Sequence, residues 1–314
     1  MKHFISCDWG TTSFRLRLID ATTKQILAET KSVQGIATIY GLWKEQPSVD
    51  RILFYSNVIL QQIRILKKKV GYSLDNLPVI ISGMASSSIG MLELPYKQIP
   101  FNVNTAELNI HIIPATETCR HQMIIISGVC TANDVMRGEE TILAGCSIEN
   151  TNDEQLFIFP GTHSKHVVIQ NGVVKEIKTY MTGELFDLLS SKSILSASVE
   201  VDIMISNSES FIKGIREAAT TNFLNSIFHV RTNQLLGASD KKENYHYLSG
   251  LLIGEELKDI QNKNYVSVTV VSSGTLLTLY TEALSVLGLK DKSKQQEADE
   301  ALIKGQALIL NLYQ

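Results

Sequence analysis

Two short segments of this 314-residue chain combine glycine with hydroxyl side chains in a pattern that suits phosphate. They are Asp8-Trp9-Gly10-Thr11-Thr12-Ser13 and, further along, Pro160-Gly161-Thr162-His163-Ser164-Lys165. Glycine lets backbone N–H groups approach an anion closely, and the hydroxyls add donors. We interpret both segments as phosphate-binding turns, with contacts from Gly10, Thr11, Thr12, Gly161 and Thr162. Lys165 is either a further phosphate contact or a plain lysine at a strand edge.

Asp8 stands directly before the first turn and carries a hard carboxylate oxygen, the kind of ligand that Mg²⁺ or its water shell prefers. A turn of this composition with such a residue suits a nucleoside triphosphate and its metal. For one Gly/Thr turn alone, an ordinary polar hairpin turn is the simpler interpretation. The second, similar turn at Gly161 favours phosphate binding.

Two adjacent glutamates, Glu139 and Glu140, follow Gly138 at a predicted helix start. If phosphate is transferred to an alcohol, a carboxylate near the hydroxyl can take its proton. A carboxylate at a helix N-terminus also complements the helix dipole, so a structural role explains the pair equally well. Arg137 is most simply a surface ion-pair partner, although it could also clamp a substrate carboxylate with two hydrogen bonds.

Two further small-residue turns follow predicted buried strands. The small-residue loop 82–90, which begins with Ser82-Gly83-Met84, follows the strand 78–81. It is either a plain connector or part of a binding site, since loops at strand ends often line sites in α/β folds. Ser273-Gly274-Thr275 lies between the strand 266–271 and a helix. Such a helix start is a natural place for the adenosine half of a nucleotide.

The elements that carry these residues repeat along the chain. Alternating or apolar segments predict one three-stranded meander near the N-terminus and a second one after the polar segment 149–154. Each meander contains one Gly-Thr turn, which predicts a duplicated pair of domains, 1–150 and 151–314. The predicted strands are 3–7, 14–19 and 25–29 in the first half, and 155–159, 166–170 and 173–179 in the second. Helices are predicted over 49–69 and, at the C-terminus, over 295–312.

Composition narrows the class of protein. The chain is 44% hydrophobic and 19% charged with a net charge of −3, as in a globular protein with a substantial core. The lack of a basic surplus argues against nucleic-acid binding.

No apolar run approaches the roughly 18 residues of a membrane helix, and the N-terminus lacks a signal-peptide pattern, so we expect a cytoplasmic protein. The P-loop and dinucleotide-binding fingerprints are absent as well.

Taken together, several segments resemble the 2-dehydro-3-deoxygalactonokinase family over nearly the whole chain. In chain order they are Asp8-Trp9-Gly10-Thr11-Thr12 with Arg15, Ser82-Gly83-Met84, Pro95-Tyr96, Val135-Met136-Arg137-Gly138-Glu139-Glu140-Thr141, Pro160-Gly161-Thr162-His163-Ser164-Lys165, Met181-Thr182-Gly183-Glu184-Leu185 and Leu248-Ser249-Gly250-Leu251-Leu252-Ile253-Gly254. Two positions depart from the family pattern, because Met91 and His166 stand where tryptophan is common.

The resemblance implies the actin-like ATPase fold, an α/β fold of two ribonuclease-H-like domains with ATP in the cleft between them. It implies ATP-dependent phosphorylation of 2-dehydro-3-deoxy-D-galactonate at its 6-hydroxyl, with Mg²⁺, in galactonate breakdown. The Asp8 and Gly161 turns would be the phosphate motifs, and Ser273, Gly274 and Thr275 would lie on the adenosine side.

By the same resemblance, Glu139 occupies the place of the catalytic carboxylate, with Glu140 or Asp134 as alternatives. Ser82, Gly83, Met84 and Arg137 would contact the sugar acid. Asp8 would organise Mg²⁺, through water. The alternatives are a kinase for another keto-deoxy sugar acid, an actin- or Hsp70-like ATPase acting on a protein partner, and a sugar-sensing protein without catalysis. The oligomeric state stays open, with a homodimer as one option.

Overall fold

The computed structural model describes residues 2–202 and 208–313, and it shows a mixed α/β protein. The chain divides into two compact units. Unit 1 comprises Met1–Glu149, Gly172–Val174 and Ala298–Gln314, and unit 2 comprises Asn150–Asn171 and Lys175–Glu297. Among the described residues, no helix has the length and apolar character needed to cross a membrane.

Unit 1 is built on a six-stranded sheet with the order β3-β2-β1-β4-β7-β6. Strands β1 to β3 form the predicted antiparallel meander, β4 runs parallel to β1, and β7 runs parallel to β4. The elements up to residue 149 are β1 (His3–Trp9), β2 (Phe14–Asp20), β3 (Ile26–Ser32), α1 (Ile36–Lys44), α2 (Arg51–Val70), β4 (Val79–Gly83), β5 (Lys97–Gln98), β6 (Ile110–Ile113), β7 (Met123–Ile126), β8 (Val129–Cys130), β9 (Val135–Met136) and α3 (Glu139–Ala144).

The core of unit 1 lies between this sheet and α2. Trp9 and Phe14 face each other across the first turn and are fully buried, with their rings edge to face at 4.9 Å. Helix α2 begins where the Asp50 side chain accepts a hydrogen bond from Leu53 N, and it ends at Gly71 in the left-handed region with φ 78°. These are ordinary start and stop signals, and the helix predicted over 49–69 is confirmed.

Unit 2 is built on a five-stranded sheet with the order β12-β11-β10-β13-β14. As in unit 1, the first strand of the meander pairs in parallel with a later strand, here β10 with β13. The predicted repetition of the meander is therefore confirmed. The elements are β10 (Gln155–Phe159), β11 (Ser164–Gln170), β12 (Val173–Tyr180), α4 (Thr182–Lys192), α5 (Ser208–Thr220), α6 (Phe223–Ser226), α7 (His229–Leu235), α8 (Lys241–Leu257), β13 (Ser267–Ser272), α9 (Gly274–Val286) and β14 (Ser293–Glu297).

Strand β14 corrects a prediction, because the sequence placed a helix over 295–312. Residues 293–297 pair in parallel with β13 instead, and the final helix, α10, spans Ala298–Leu312. The segment Ser-Lys-Gln-Gln-Glu contains no apolar residue, so it lacks the alternation that predicts a strand. Its place at the sheet edge explains this polarity, since an edge strand is partly exposed.

Helix α10 packs within unit 1, whereas the sequence placed it in the domain 151–314. It approaches α3 so closely that a Cβ atom on Gly145 would lie 1.8 Å from Ala301 O, and one on Gly305 would lie 1.9 Å from Thr141 O. Gln306 of α10 also donates hydrogen bonds to Cys7 O at 3.2 Å and to Ser82 Oγ at 2.9 Å. The C-terminal helix therefore fixes the ends of β1 and β4.

Candidate functional site

The first Gly-Thr turn is held by its backbone and exposes its hydroxyls. Gly10 N donates to Ser13 O at 2.9 Å, and the Gly10 and Thr11 carbonyls accept hydrogen bonds from the first residues of α1. Gly35 lies against the turn, and a Cβ atom there would come within 2.3 Å of Thr11 O. The side chains of Thr11 and Thr12 are exposed. The turn is thus fixed in place while its donors remain accessible.

Asp8 belongs to a charged network that the sequence did not reveal. Arg15, opposite Asp8 in the β1–β2 ladder, contacts Asp8 Oδ2 at 3.1 Å and donates to Asp299 Oδ1 at 3.0 Å. The buried Arg17 donates to Glu29 at 2.6 Å and to Asp299 at 2.7 Å. Asp299 lies in the first turn of α10, at the far end of the sequence, so no local pattern connects it to Asp8.

Opposing effects act on the pKa of the Asp8 carboxyl group, which must lose its proton to bind a cation. Burial raises its pKa above the ordinary value, Arg15 and Arg17 lower it in part, and Asp299 raises it. Across residues 2–202 and 208–313, no group of three or more His, Cys, Asp or Glu side chains comes together that could hold a metal ion. Mg²⁺ commonly binds through one or two carboxylates together with substrate phosphates and water. The hard oxygen of Asp8 fits Mg²⁺ in that manner.

The turn Ser82-Gly83-Met84 lies next to the Arg137 segment. Gly83 has φ +86°, and a Cβ atom on it would lie 2.7 Å from Trp9 O. A Cβ atom on Gly138, which has φ +109°, would lie 3.4 Å from Gly83 Cα. Glycine is needed at both positions because of the positive φ. Two of the predicted substrate segments are therefore adjacent at the end of β4.

Arg137 is held in a fixed orientation by contacts within unit 1. Its Nη1 donates to Ser86 O at 2.6 Å and to Ser86 Oγ at 2.5 Å, and its guanidinium lies 4.3 Å from the centre of the Tyr96 ring. It follows β9, which pairs with β8, while β8 pairs with β5. In the described part of the chain, Arg137 Nε is buried without a hydrogen-bond partner. Tyr96 is indicated only by the family resemblance, and Ser86 belongs to the small-residue loop 82–90, whose contact with Arg137 no local pattern shows.

The three candidate carboxylates differ in their surroundings. Glu139 is partly buried, and its Oε2 accepts a hydrogen bond from Arg137 N at 3.0 Å. Glu140 is fully buried and accepts from Gly138 N at 2.6 Å and from Thr141 Oγ1 at 2.9 Å. Burial, followed by the charge of Glu139, raises the pKa of Glu140 to about 7.

Asp134 lies apart from this helix start, in the turn between β8 and β9, where its Oδ1 accepts from Val135 N at 3.0 Å. Glu140 has no exposed surface for a substrate, and Asp134 stabilises a hairpin turn. Of the two glutamates at the start of α3, Glu139 is the one with surface open to solvent.

The second Gly-Thr turn packs against the start of α4. Glu184 N donates to Thr162 O at 3.0 Å, and a Cβ atom on Gly183 would come within 2.5 Å of Gly161 O. Lys165 is only 6% exposed, and its Nζ donates to His163 O at 3.2 Å. It therefore lies within the sheet and beside the turn, not on an exposed strand edge.

Unit 2 contains a cavity of about 230 Å³ next to this turn. Gly161, Thr182 and Gly183 form one wall, and Thr275 at the start of α9 forms part of another. Of the predicted adenosine-side residues, Ser273 and Gly274 precede the cavity wall and Thr275 lines it. The other lining residues, which sequence reasoning did not assign to this site, are Phe186, Asp202, Tyr245, His246, Ser249, Leu252, Ile253, Leu276, Leu279 and Tyr280.

The cavity combines aromatic and aliphatic walls with a few polar groups, as small-molecule sites commonly do. Phe186 and Tyr245 lie edge to face with ring centroids 5.0 Å apart. His246 Nε2 lies 3.1 Å from Asp202 Oδ2. Residues 245 and 249 are four apart on α8 and therefore lie on one side of the helix, with residue 246 beside them. This spacing is the one sequence pattern that points to these lining residues.

Both positions that depart from the family pattern lie in packed interiors. Met91 is 1% exposed and belongs to the core of unit 1. His166 is 3% exposed in β11, where its ring contacts Glu256 of α8 at 2.9 Å and lies beside Tyr180. They therefore contribute to packing within their own units.

Two sheets that each contain a meander with a Gly-Thr turn, and a cavity beside one of these turns, describe a mixed α/β protein with a candidate small-molecule site. The family model for 2-keto-3-deoxy-galactonokinase matches residues 8–309. The chain belongs to this family of kinases, and the enzyme class predicted from the sequence is confirmed.

Relatives agree with this assignment. A Rhizobium meliloti protein named as a probable 2-dehydro-3-deoxygalactonokinase is 31% identical over 312 residues, covering 96% of this chain and 95% of its own length. The 2-dehydro-3-deoxygalactonokinase of Escherichia coli is 27% identical over 294 residues, covering 91% and 90%.

Solved structures agree as well. The crystal structure of a Sinorhizobium meliloti protein assigned to the same activity has a TM-score of 0.81 at 32% identity, covering 96% of this chain and 94% of that one. A reductive activator for a corrinoid, iron-sulfur protein shares the fold alone, with a TM-score of 0.51 at 14% identity, covering 99% and 62%.

Proposed function

We propose that this enzyme transfers the γ-phosphoryl group of ATP to the 6-hydroxyl of 2-dehydro-3-deoxy-D-galactonate, in the cytoplasmic breakdown of galactonate. Membership of the kinase family supports the reaction type. The observation that carries the proposal is the position of Gly161 and Thr182 on the wall of a cavity that aromatic side chains also line. A phosphate-binding turn beside a base-sized apolar pocket is what ATP requires.

A second part of the proposal concerns the fold type of the two units. We assign both units to the ribonuclease-H-like type of the actin-like ATPases. The support is the common strand order, in which a meander is followed by parallel strands on the side of its first strand. The cleft between the two domains stays a prediction.

In unit 2, we assign the ATP contacts to residues that line or adjoin the cavity. The base occupies the space between Phe186, Tyr245 and α9, with Ser273, Gly274 and Thr275 on the adenosine side. Gly161 and Thr162 donate to the phosphates through backbone N–H groups and the hydroxyl, and Lys165 supports that turn. In unit 1, the exposed turn of Gly10, Thr11 and Thr12 is the second phosphate contact.

Mg²⁺ is the metal that fits this chemistry, with Asp8 holding it through water. When bound, the ion offsets negative charge on the β- and γ-phosphates. Asp8 supplies the carboxylate, and Arg15 keeps that carboxylate oriented through its contact with Oδ2.

For the sugar acid, we assign binding to Ser82, Gly83, Met84 and Arg137, and proton abstraction to Glu139. Arg137 is partly exposed, its guanidinium is held by Ser86, and a guanidinium is suited to binding a substrate carboxylate. The Arg137 N–H group already fixes Glu139 at the helix start. A carboxylate oriented in this way can accept the hydroxyl proton as the new P–O bond forms.

A coupled assay of ADP release over a panel of sugar acids tests the proposal. We expect ATP-dependent turnover with 2-dehydro-3-deoxy-D-galactonate above all other substrates. A preference for another 2-keto-3-deoxy acid would correct the substrate only. ADP release that is equally fast without any sugar acid would favour an ATPase acting on a protein partner, and would overturn the proposal.

A further inference from the structure

Glu256, near the end of α8, is a buried carboxylate that accepts four hydrogen bonds. The side chain is 2% exposed. Its Oε1 accepts from Ser164 Oγ at 2.7 Å and from His166 Nε2 at 2.9 Å. Its Oε2 accepts from Tyr280 Oη at 2.7 Å and from Thr182 Oγ1. Both oxygens are thus fully used by donors within unit 2.

The four donors belong to the elements that surround the proposed nucleotide site. Ser164 and His166 are in β11, directly after the second Gly-Thr turn. Thr182 begins α4, where the next residue packs against Gly161 O, and Tyr280 lies in α9. Both Thr182 and Tyr280 also line the cavity. One carboxylate therefore connects the turn, two helices of the cavity wall and its own helix.

The charge on Glu256 is maintained by these contacts. Burial raises the pKa of this carboxyl group, but the hydrogen bonds from His166, Thr182 and Ser164 outweigh burial, and the pKa lies below its ordinary value. A buried charge is costly even when it is paired, and a well-packed apolar side chain of similar volume is often as stable. Stability alone therefore gives little reason for a carboxylate here, whereas the orientation of four donors does.

We propose that Glu256 is a positioning residue that fixes the second Gly-Thr turn relative to the nucleotide cavity. The turn can then bind the phosphates of ATP while the base occupies the cavity. The inference rests on the proposed binding of ATP to unit 2. It implies that Glu256 contributes to the binding of the phosphates of ATP more than to the binding of adenosine, because adenosine carries no phosphate for the turn to hold.

The test compares ligand affinities of the whole protein with Glu256→Met, which keeps the length of the side chain and removes all four acceptor contacts. We expect the dissociation constant for ATP to rise about tenfold or more, equivalent to about 1.4 kcal/mol, because the turn loses the contacts that fix it beside the cavity. The dissociation constants for adenosine and for the sugar acid should each change by less than about threefold.

Two variants serve as references. Glu256→Gln retains one acceptor oxygen for two of the four donors, so its ATP affinity should lie between those of Glu256→Met and the natural protein. Glu255→Met changes the neighbouring glutamate, which is partly exposed and paired with Lys258, and should bind ATP normally. If Glu256→Met does not fold, Ser164→Ala removes one of the two contacts that β11 makes with Glu256, the one nearer the turn, and it should weaken ATP binding in the same direction.

The outcomes separate the two proposals. Failure of the natural protein to bind ATP would contradict the proposed function itself. Normal ATP affinity in folded Glu256→Met, or in Ser164→Ala where the former does not fold, would overturn the positioning role. An equal loss of affinity for ATP, adenosine and the sugar acid would overturn it as well, because it would show a general loss of structure.

Discussion

Glu139 and its neighbour Glu140 begin the same helix, yet their surroundings differ. Glu139 retains exposed surface and accepts from Arg137 N, whereas Glu140 is enclosed and accepts from Gly138 N and Thr141. The sequence identified both residues but could not separate them, because adjacent positions on a helix differ in burial only once the packing of that helix is known. The exposed surface of Glu139 supports the proposal that it, and not Glu140, takes the proton.

Replacing Glu139 tests its role as the proton acceptor. Glu139→Gln should lower kcat by about 10²- to 10⁴-fold, the usual contribution of general-base catalysis, with little change in the dissociation constant for ATP. Steady-state kinetics with 2-dehydro-3-deoxy-D-galactonate measure kcat, and calorimetry measures ATP binding. A variant with near-normal kcat would show that another group takes the proton.

Glu140 should give the fold a pH dependence. Burial, with the charge of Glu139, raises its pKa from the ordinary value of 4.5 to about 7. Between these values the unfolded chain loses this proton while the folded protein keeps it, so the free energy of unfolding decreases as the pH rises. The decrease is complete above about pH 7 and amounts to about 3 kcal/mol at most, at 1.36 kcal/mol per pKa unit.

Glu140→Gln cannot ionise and should lack this decrease, so it should gain stability relative to the natural protein between pH 5 and pH 8. Urea unfolding at both pH values measures the difference. Glu300→Gln, which changes an exposed glutamate paired with Lys304, controls for the loss of one negative charge. Parallel pH dependence in Glu140→Gln and the natural protein would contradict the assignment.

Among the helices and strands, the sequence predicts best those that have recognisable residues at their ends and a regular apolar face. Helix α2 has an Asp at its start, a Gly at its end and a regular apolar face, and its prediction is accurate. Helix α1 was missed, and strand β14 was mistaken for helix because its residues carry no apolar alternation. Its strand structure depends on pairing with β13, which is a tertiary contact.

The contact between α3 and α10 depends on two glycines and should not tolerate larger residues. Gly305→Ala should destabilise the protein by about 1–3 kcal/mol or more, the typical cost of overpacking, since the new Cβ would meet Thr141 O at 1.9 Å. Gly41→Ala is the matched control, because it lies within α1 and its Cβ would meet nothing within 4 Å. Urea unfolding should show Gly41→Ala to be as stable as the natural protein or more so; equal stability of both variants would contradict close packing of α10.

At the scale of the whole molecule, the repetition of a meander with a Gly-Thr turn was visible in the sequence, and it led to the family. The course of the chain after β14 was not visible, because helix α10 belongs to unit 1 through contacts with α3, β1 and β4. Asp299 and Glu256 were missed for the same reason. Each has partners that are distant in sequence, so only the folded chain shows what they hold.

The position of the new phosphate on the sugar acid tests the central proposal most directly. The protein is incubated with ATP, Mg²⁺ and 2-dehydro-3-deoxy-D-galactonate, and the product is examined by ³¹P NMR with proton coupling. Phosphorylation at the 6-hydroxyl places phosphorus next to a CH₂ group, so we predict a triplet that appears as ADP accumulates. A doublet, from a phosphate on a CH–OH carbon, or the release of inorganic phosphate with the sugar acid unchanged, would contradict the proposed function.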